Sequence, residues 1–241
     1  MKTVLCIGGL DPAGRAGLLA DAAAVHALGA RPLCVATALT FQSSIKVDGF
    51  EAVAPDIVRR QIEVLLRDEQ VDAVKIGQLA SAGNAAVVLG LPPELPIVLD
   101  TPLIASSGAA LFPLSEIGAY APLVSRATLV TPNATEVLLL TRASSPAERA
   151  PALAAARRLD AKAVLLKGGH LPGAEVEDVL LRGGEEITLR SPRLSGRFRG
   201  TGCRLASAIA VGLAEGRDLR RSARDAHEWL HQQLVRESSG T

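Results

Sequence analysis

Val4-Leu5-Cys6-Ile7-Gly8-Gly9 decides the fold: a short apolar run that stops at two glycines, as a strand buried on both faces of a parallel sheet would. After the loop Leu10-Asp11-Pro12-Ala13-Gly14-Arg15-Ala16-Gly17, apolar residues recur at helical spacing as far as Leu28, with Gly29 as the stop. Pro32 to Leu39 is a second strand, and the three pieces make a βαβ unit. The glycine spacing in the loop does not fit the dinucleotide-binding pattern, so that reading is set aside.

Working outward, Val47 to Val53 reads as an edge or flap strand, and Pro55 opens a helix through Ile57, Ile62, Leu65 and Leu66. Asp72 to Ile76, Pro96 to Leu99, Thr128 to Val130 and Ala163 to Leu166 are further strands. They end at Gly77, Asp100, Thr131 and Lys167 respectively. A helix starts near Asn133, and more helix follows Pro146. Glu175 to Leu181 and Glu186 to Arg190 form an antiparallel pair about Gly183-Gly184. Two helices, Cys203 to Glu215 and Leu219 to Arg236, close the chain before a frayed tail, Ser238-Ser239-Gly240-Thr241. Strands and helices alternate without repeats or linkers, which predicts an α/β fold of one domain over residues 1–241: a central, mostly parallel β-sheet flanked by α-helices on both faces.

Composition excludes several functions. The 26 basic and 25 acidic residues leave a net charge of +1, which calls for no nucleic acid partner. Aromatic residues are only 2%, too few to build stacking platforms for single strands. No apolar run approaches the roughly 20 residues of a membrane helix. Cys6, Cys34 and Cys203 lack metal-ligand spacing and read as reduced thiols of a cytoplasmic protein.

Four strand-end features carry the chemistry: Asp100; Asn133 with Glu136; Lys167 before Gly168-Gly169-His170; and Gly200-Thr201-Gly202-Cys203, which runs straight into a helical pattern. Two glycines in that tetrapeptide let the chain turn sharply, so that the unpaired N–H groups of the first helical turn face an anion together. A glycine-rich turn before a core helix reads the same way on these four residues alone. The helix dipole at Cys203 favours a thiolate there. Gathered on one sheet edge, the four features supply a carboxylate pair for a metal, a cation and a nest of amides, the parts phosphoryl transfer needs.

Taken in order, the motifs resemble the hydroxymethylpyrimidine/phosphomethylpyrimidine kinases, within the ribokinase-like superfamily. The resemblance is carried by Gly9 to Gly17 leading to Ala20-Asp21, Thr37 to Gln42, Val71 to Gly77, Val98 to Thr101, and Val130 to Asn133 with Glu136. Lys167 to His170 and Gly200 to Cys203 complete it. It implies ATP near the last two loops and a hydroxymethylpyrimidine over the first, with Gly9, Asp21, Gln42, Gln78 and Pro102 binding substrate. It further implies Lys167, Gly168 and Gly202 at the phosphates, Asn133 with Glu136 organising Mg²⁺, and Asp100 with Glu136 as the metal carboxylates. The Gly200, Thr201 and Gly202 amides would hold the developing charge, and Cys203 stands where many relatives carry an aspartate base. A small-molecule substrate, ATP and a second copy of the chain are the expected partners, and thiamine biosynthesis the expected setting.

The chain departs from the family pattern at several of these positions. Ser195-Gly196-Arg197-Phe198-Arg199 replaces a phrase rich in Thr, Asn and His, and Arg204 follows Cys203 in place of a small hydroxyl residue. Arg15 stands for a glycine, Gln78 for a methionine, Pro102 for a valine and Ser106 for a lysine of the flap. Two readings of Arg15, Arg199 and Arg204 stay open: an enlarged phosphate-binding cluster, or exposed arginines in place of exposed polar residues. Two rival functions stay open as well, a pyridoxal or pyridoxine kinase of the same fold and a silent relative that binds nucleotide or pyrimidine.

Overall fold

A computed structural model of the chain describes residues 1–43, 45–105 and 107–239. Its frame is a nine-stranded sheet. The strands are β1 (Thr3–Leu10), β2 (Arg31–Gln42), β3 (Val47–Ala52), β4 (Ala73–Ile76), β5 (Ile97–Asp100), β6 (Leu129–Thr131), β7 (Val164–Leu166), β8 (Glu175–Arg182) and β9 (Glu185–Pro192). They lie in the order β3-β2-β1-β4-β5-β6-β7-β8-β9. The six from β2 to β7 pair in parallel, and antiparallel pairs close both edges. This is the expected α/β architecture.

Side-chain alternation along the buried strands builds two cores from one sheet. Val4, Cys6, Val98 and Leu129 face the layer of α1 (Gly17–Ala27), α7 (Thr201–Ala214) and α8 (Leu219–Ser239). Leu5, Ile7, Leu99 and Val130 face α2 (Pro55–Asp68), α3 (Ala82–Leu89) and α4 (Ala121–Arg126). A smaller core lies under α5 (Ala134–Leu140) and α6 (Arg149–Ala156).

Strand order reverses between β1 and β4, because the chain lays β2 on one side of β1 and later returns to the other. Open parallel sheets bind ligands beyond the carboxyl ends of strands at such a point. The loop after β1 and the ends of β4, β5, β6 and β7 all open on that side.

Some expected elements differ in extent. The second strand runs three residues beyond Leu39, to Gln42, because it pairs antiparallel with β3 as a hairpin reaching past the sheet. The last helix continues through Ser238 and Ser239, so these two are not frayed; Gly240 and Thr241 lie outside the described residues. The sequence reading missed α3, whose Gly83 and Asn84 are poor helix formers. Ser81 caps it by accepting from the Asn84 amide at 3.2 Å.

Candidate active site

The first loop is folded around Asp11. One carboxylate oxygen accepts from the Ala13 amide at 2.9 Å, and the other from Arg15 and Ala16 at 3.0 and 2.9 Å. This curls the loop back over β1 and delivers Gly17 in the left-handed region (φ 56°), where a Cβ would collide with the Gly9 carbonyl. Beneath lies a hollow open to solvent, of about 430 Å³ when the space at its mouth is included. Its walls include Gly9, Asp21, Gln42, Gln78, Pro102 and Cys203, so the structure gathers all five sequence-predicted substrate residues around one space, with the thiol at its edge.

Lys75 is fully buried in the four-residue strand β4, and its ammonium lies 2.7 Å from Asp21 Oδ2 on α1. Ser207 of α7 donates to the other oxygen of Asp21 at 2.9 Å. Burial raises the pKa of Asp21, against the pull of Lys75 and Ser207. Burial alone would lower that of Lys75, but Asp21, Cys203 and Asp100 raise it, so the lysine keeps its charge. The pair bolts α1 and α7 to the sheet.

A second buried centre lies farther along the sheet, between the ends of β5 and β7. Lys167, just after β7, lies 2.6 Å from Asp100 Oδ1 and 3.8 Å from Glu136 Oε2. Thr131 donates to the same Asp100 oxygen at 3.1 Å. Glu136 is fixed by the start of α5, where it and Asn133 form a capping box, each side chain accepting the other's amide at 2.8 and 2.9 Å. Burial pushes the Glu136 carboxyl up to about 7, with Lys167 opposing and Asp100 adding to the rise. Burial acts on Asp100 the same way, but Lys167 and Lys75 outweigh it and hold that carboxyl below the usual range. Asp100 Oδ2 and Glu136 Oε1 accept no hydrogen bond from any described residue.

The start of α7 meets both centres. Gly200 is its N-cap, left-handed at φ 67°, and a Cβ there would collide with the Arg15 carbonyl, so the first loop and the helix start touch backbone to backbone. A Cβ on Gly202 would lie 3.1 Å from Lys167 Nζ and 3.9 Å from Asp100 Oδ2. The helix begins at Thr201, two residues before Cys203, and no side chain caps it. The Thr201, Gly202 and Cys203 amides are therefore left for a ligand, the first intrahelical bond being Arg204 N–H to Gly200 at 2.9 Å.

The thiolate expected at Cys203 is not formed. Although this residue keeps an open face on the cavity, atoms packed around its sulfur push the thiol up to about 11. Lys75 and a hydrogen bond from the Gly17 amide only partly offset that burial, while Asp21 and Asp100 add to it. Desolvation and two carboxylates outweigh the helix dipole.

Residues 11–240 match the model of the phosphomethylpyrimidine kinase family. The chain belongs to that family. The hydroxymethylpyrimidine/phosphomethylpyrimidine kinase of Streptomyces coelicolor is 39% identical over 233 residues, covering 94% of this chain and 86% of that protein. The crystal structure of phosphomethylpyrimidine kinase from Clostridium difficile 630 superposes with a TM-score of 0.81 at 27% identity, over 97% of this chain and all of that one. The pyridoxal kinase of Staphylococcus aureus in complex with ADP gives 0.85 at 24% identity, over 95% of this chain and 86% of that one, which speaks to the fold alone. The fold is ribokinase-like, and this phosphomethylpyrimidine kinase family member is a phosphotransferase.

Sequence reasoning overlooked several contacts around the site. Lys75 falls within a predicted strand and the motif Val71 to Gly77 without a role of its own, although a lysine flanked by Ala73, Val74 and Ile76 is itself a signal of a buried partner. Arg193 was passed over; its guanidinium donates to the Gly169, Leu171 and Gly173 carbonyls at 2.8, 2.5 and 2.8 Å and braces the loop after Lys167. His227 Nδ1 lies 3.0 Å from Asp178 Oδ2, and Asp178 Oδ1 accepts the Gly168 amide at 2.8 Å. Gly168 has a packing reason as well, since a Cβ there would strike the Glu177 carbonyl.

The arginines do not share an anion site. Arg204 pairs with Glu237 near the end of α8, and Arg199 donates to the Ser43 carbonyl at 2.9 Å on the β2–β3 hairpin. Arg15 and Arg197 are exposed. Ser106, the flap substitution, lies outside the described residues. Among the described residues no helix is long and apolar enough to cross a membrane.

Proposed function

We propose that the chain transfers the γ-phosphoryl group of ATP to the hydroxymethyl oxygen of 4-amino-5-hydroxymethyl-2-methylpyrimidine, and to the phosphate of its monophosphate, in thiamine biosynthesis. One observation carries this reading: the start of α7 stands between two spaces, with Lys167 and Asp100 beside Gly202 and the five-residue substrate cavity beside Cys203. A phosphate held on the Gly200, Thr201, Gly202 and Cys203 amides would lie within reach of a hydroxyl projecting from the cavity.

In this reading Lys167 and Gly168 hold the outer phosphates, and the helix-start amides take up the charge that develops as the bond to the leaving ADP breaks. Lys167 is presently shared between two carboxylates and turns to phosphate when ATP enters. Cys203, protonated before ligands bind, orients the attacking hydroxyl and is not a standing base; a loose transition state needs little early deprotonation. The donor set suits Mg²⁺, because Asp100 Oδ2 and Glu136 Oε1 are free and magnesium needs few protein oxygens, keeping waters for the rest. Bound there with Asn133 nearby, the ion would neutralise phosphate charge. Gly9, Gln42, Gln78 and Pro102 hold the ring, and Asp21, already bound by Lys75 and Ser207, fixes the wall behind it. The 241 residues act as one domain in the cytoplasm, and Phe41 and Ile45, 58% and 86% exposed on the β2–β3 hairpin, favour a homodimer.

ADP release across the hydroxymethylpyrimidine, its monophosphate and pyridoxal tests this. Turnover of the first two at least tenfold above pyridoxal is expected. Preference for pyridoxal overturns the substrate, and ligand-induced thermal stabilisation with no ADP released overturns the reaction.

A further inference from the structure

Gln78 turns an acceptor without a protein donor toward the substrate cavity. Gln78 follows β4 at the reversal in strand order, and 7% of it is exposed. Its Nε2 donates to the Leu111 carbonyl at 3.1 Å, which fixes which end of the carboxamide is oxygen. Oε1 then lies over Gly9, close enough that a Cβ there would collide with it, and accepts no hydrogen bond from any described residue. The backbone is held too, since Thr37 Oγ1 donates to the Gln78 carbonyl. A flipped amide would set Oε1 against the Leu111 carbonyl, so the acceptor end is the one that faces the cavity. An acceptor held in a fixed place on the wall of a ligand cavity, with no protein donor, is available to a ligand N–H.

Three other polar side chains of the wall are already engaged. Asp21 binds Lys75 and Ser207, Asp11 binds three loop amides, and Thr40 donates to the Leu10 carbonyl at 2.9 Å. Gln42 has no described partner and offers both a donor and an acceptor. A ring nitrogen beside an amino group uses both, which still leaves the second N–H of that amino group without an acceptor. Gln78 Oε1 is an acceptor only.

Resting on the function proposed above, we infer that Gln78 is a specificity-determining residue: its Oε1 accepts a hydrogen bond from the exocyclic amino group of an aminopyrimidine and disfavours rings with no N–H there. A site built to hydrogen-bond a substrate group discriminates strongly against analogues that lack it.

The test compares 4-amino-5-hydroxymethyl-2-methylpyrimidine with its 4-deamino and 4-methylamino analogues, by calorimetric binding and by kcat/KM, in the wild type and in Gln78→Met. The wild type should prefer the amino ring over the deamino ring by tenfold or more, and the variant should cut that ratio at least tenfold. The methylamino ring, with one N–H gone, should bind the wild type more weakly than the amino ring, a gap that closes in the variant. A ratio unchanged by the substitution overturns the inference. Should Gln78→Met fail to fold, equal wild-type affinity for amino and deamino rings overturns it, and a tenfold preference with the methylamino penalty upholds it. Binding without phosphoryl transfer would sink the proposed reaction while leaving the Gln78 contact intact, so the two failures are told apart.

Discussion

Two buried lysine–aspartate pairs stand on one sheet, and their surroundings differ. In Lys75–Asp21 both carboxylate oxygens are used, one by the lysine and one by Ser207, and both side chains are almost wholly sealed, at 1% and 0% exposure. In Lys167–Asp100 one oxygen is free, the lysine is shared with Glu136, and 13% of it reaches the surface. The first pair is complete and holds elements together. The second is incomplete, and its lysine is the one that the proposed function turns to phosphate.

Replacement of either lysine separates these roles. Lys75→Met leaves Asp21 buried without its cation, and breaking such a pair costs about 3–5 kcal/mol, read as a lowered denaturation midpoint. Lys167→Ala should cost turnover about 10²–10³-fold, the range for losing one donor to a developing oxyanion, with a smaller loss of stability. If Lys167→Ala destabilised the fold as much as Lys75→Met while sparing turnover, the contrast between the pairs would be broken.

Cys203 stands between the two centres and reports on both. With its thiol near 11, the thiolate is about one part in a thousand at pH 8. Alkylation of Cys203 by iodoacetamide should accelerate about tenfold per pH unit from 7 to 10, because a raised pKa keeps the thiol protonated until the solution approaches it. A plateau near 8.5 would mean an unperturbed cysteine. A free thiol such as glutathione serves as the reference, since burial and Asp21 raise the Cys34 thiol as well.

This difference between the pairs was only half legible in the chain. Lys167 could be found because it stands at a strand end before two glycines, where a charge has no packing purpose. Lys75 could not, because its partner Asp21 is 54 residues away and pairing across the sheet is not written in local pattern. The βαβ alternation and the antiparallel pair about Gly183-Gly184 were legible, since periodicity and turn chemistry are local. The helix dipole at Cys203 was legible too, but the desolvation that overrides it is a property of the packed site. The same limit hid Arg193 and His227, whose partners are backbone groups or residues many positions away.

The link from His227 through Asp178 to the Gly168 amide runs from α8 to the loop proposed to hold phosphate, and it offers a subtler test of that proposal. Removing the imidazole frees Asp178 to turn away from Gly168. His227→Ala should raise KM for ATP about three- to tenfold with kcat nearly unchanged, and His227→Asn, which keeps a donor, should restore it. Equal effects on kcat and KM, or no rescue by asparagine, would reduce the histidine to packing.

The smallest effect is expected at Arg204. A basic residue directly after Cys203 invites a phosphate role, but its guanidinium is turned to Glu237 and to the Arg199 carbonyl at 3.4 Å, not to the helix-start amides. Its Nε is buried with no partner, which already weighs against the contact. Half of Glu237 is exposed, and ion pairs of that kind contribute about 0–1 kcal/mol. Arg204→Ser should therefore lower stability by less than about 1 kcal/mol and change the affinity for ATP less than twofold, measured by nucleotide titration. A tenfold loss of affinity would require Arg204 to leave Glu237 when nucleotide binds, and would join it to Lys167 as a second cation that exchanges a carboxylate for phosphate.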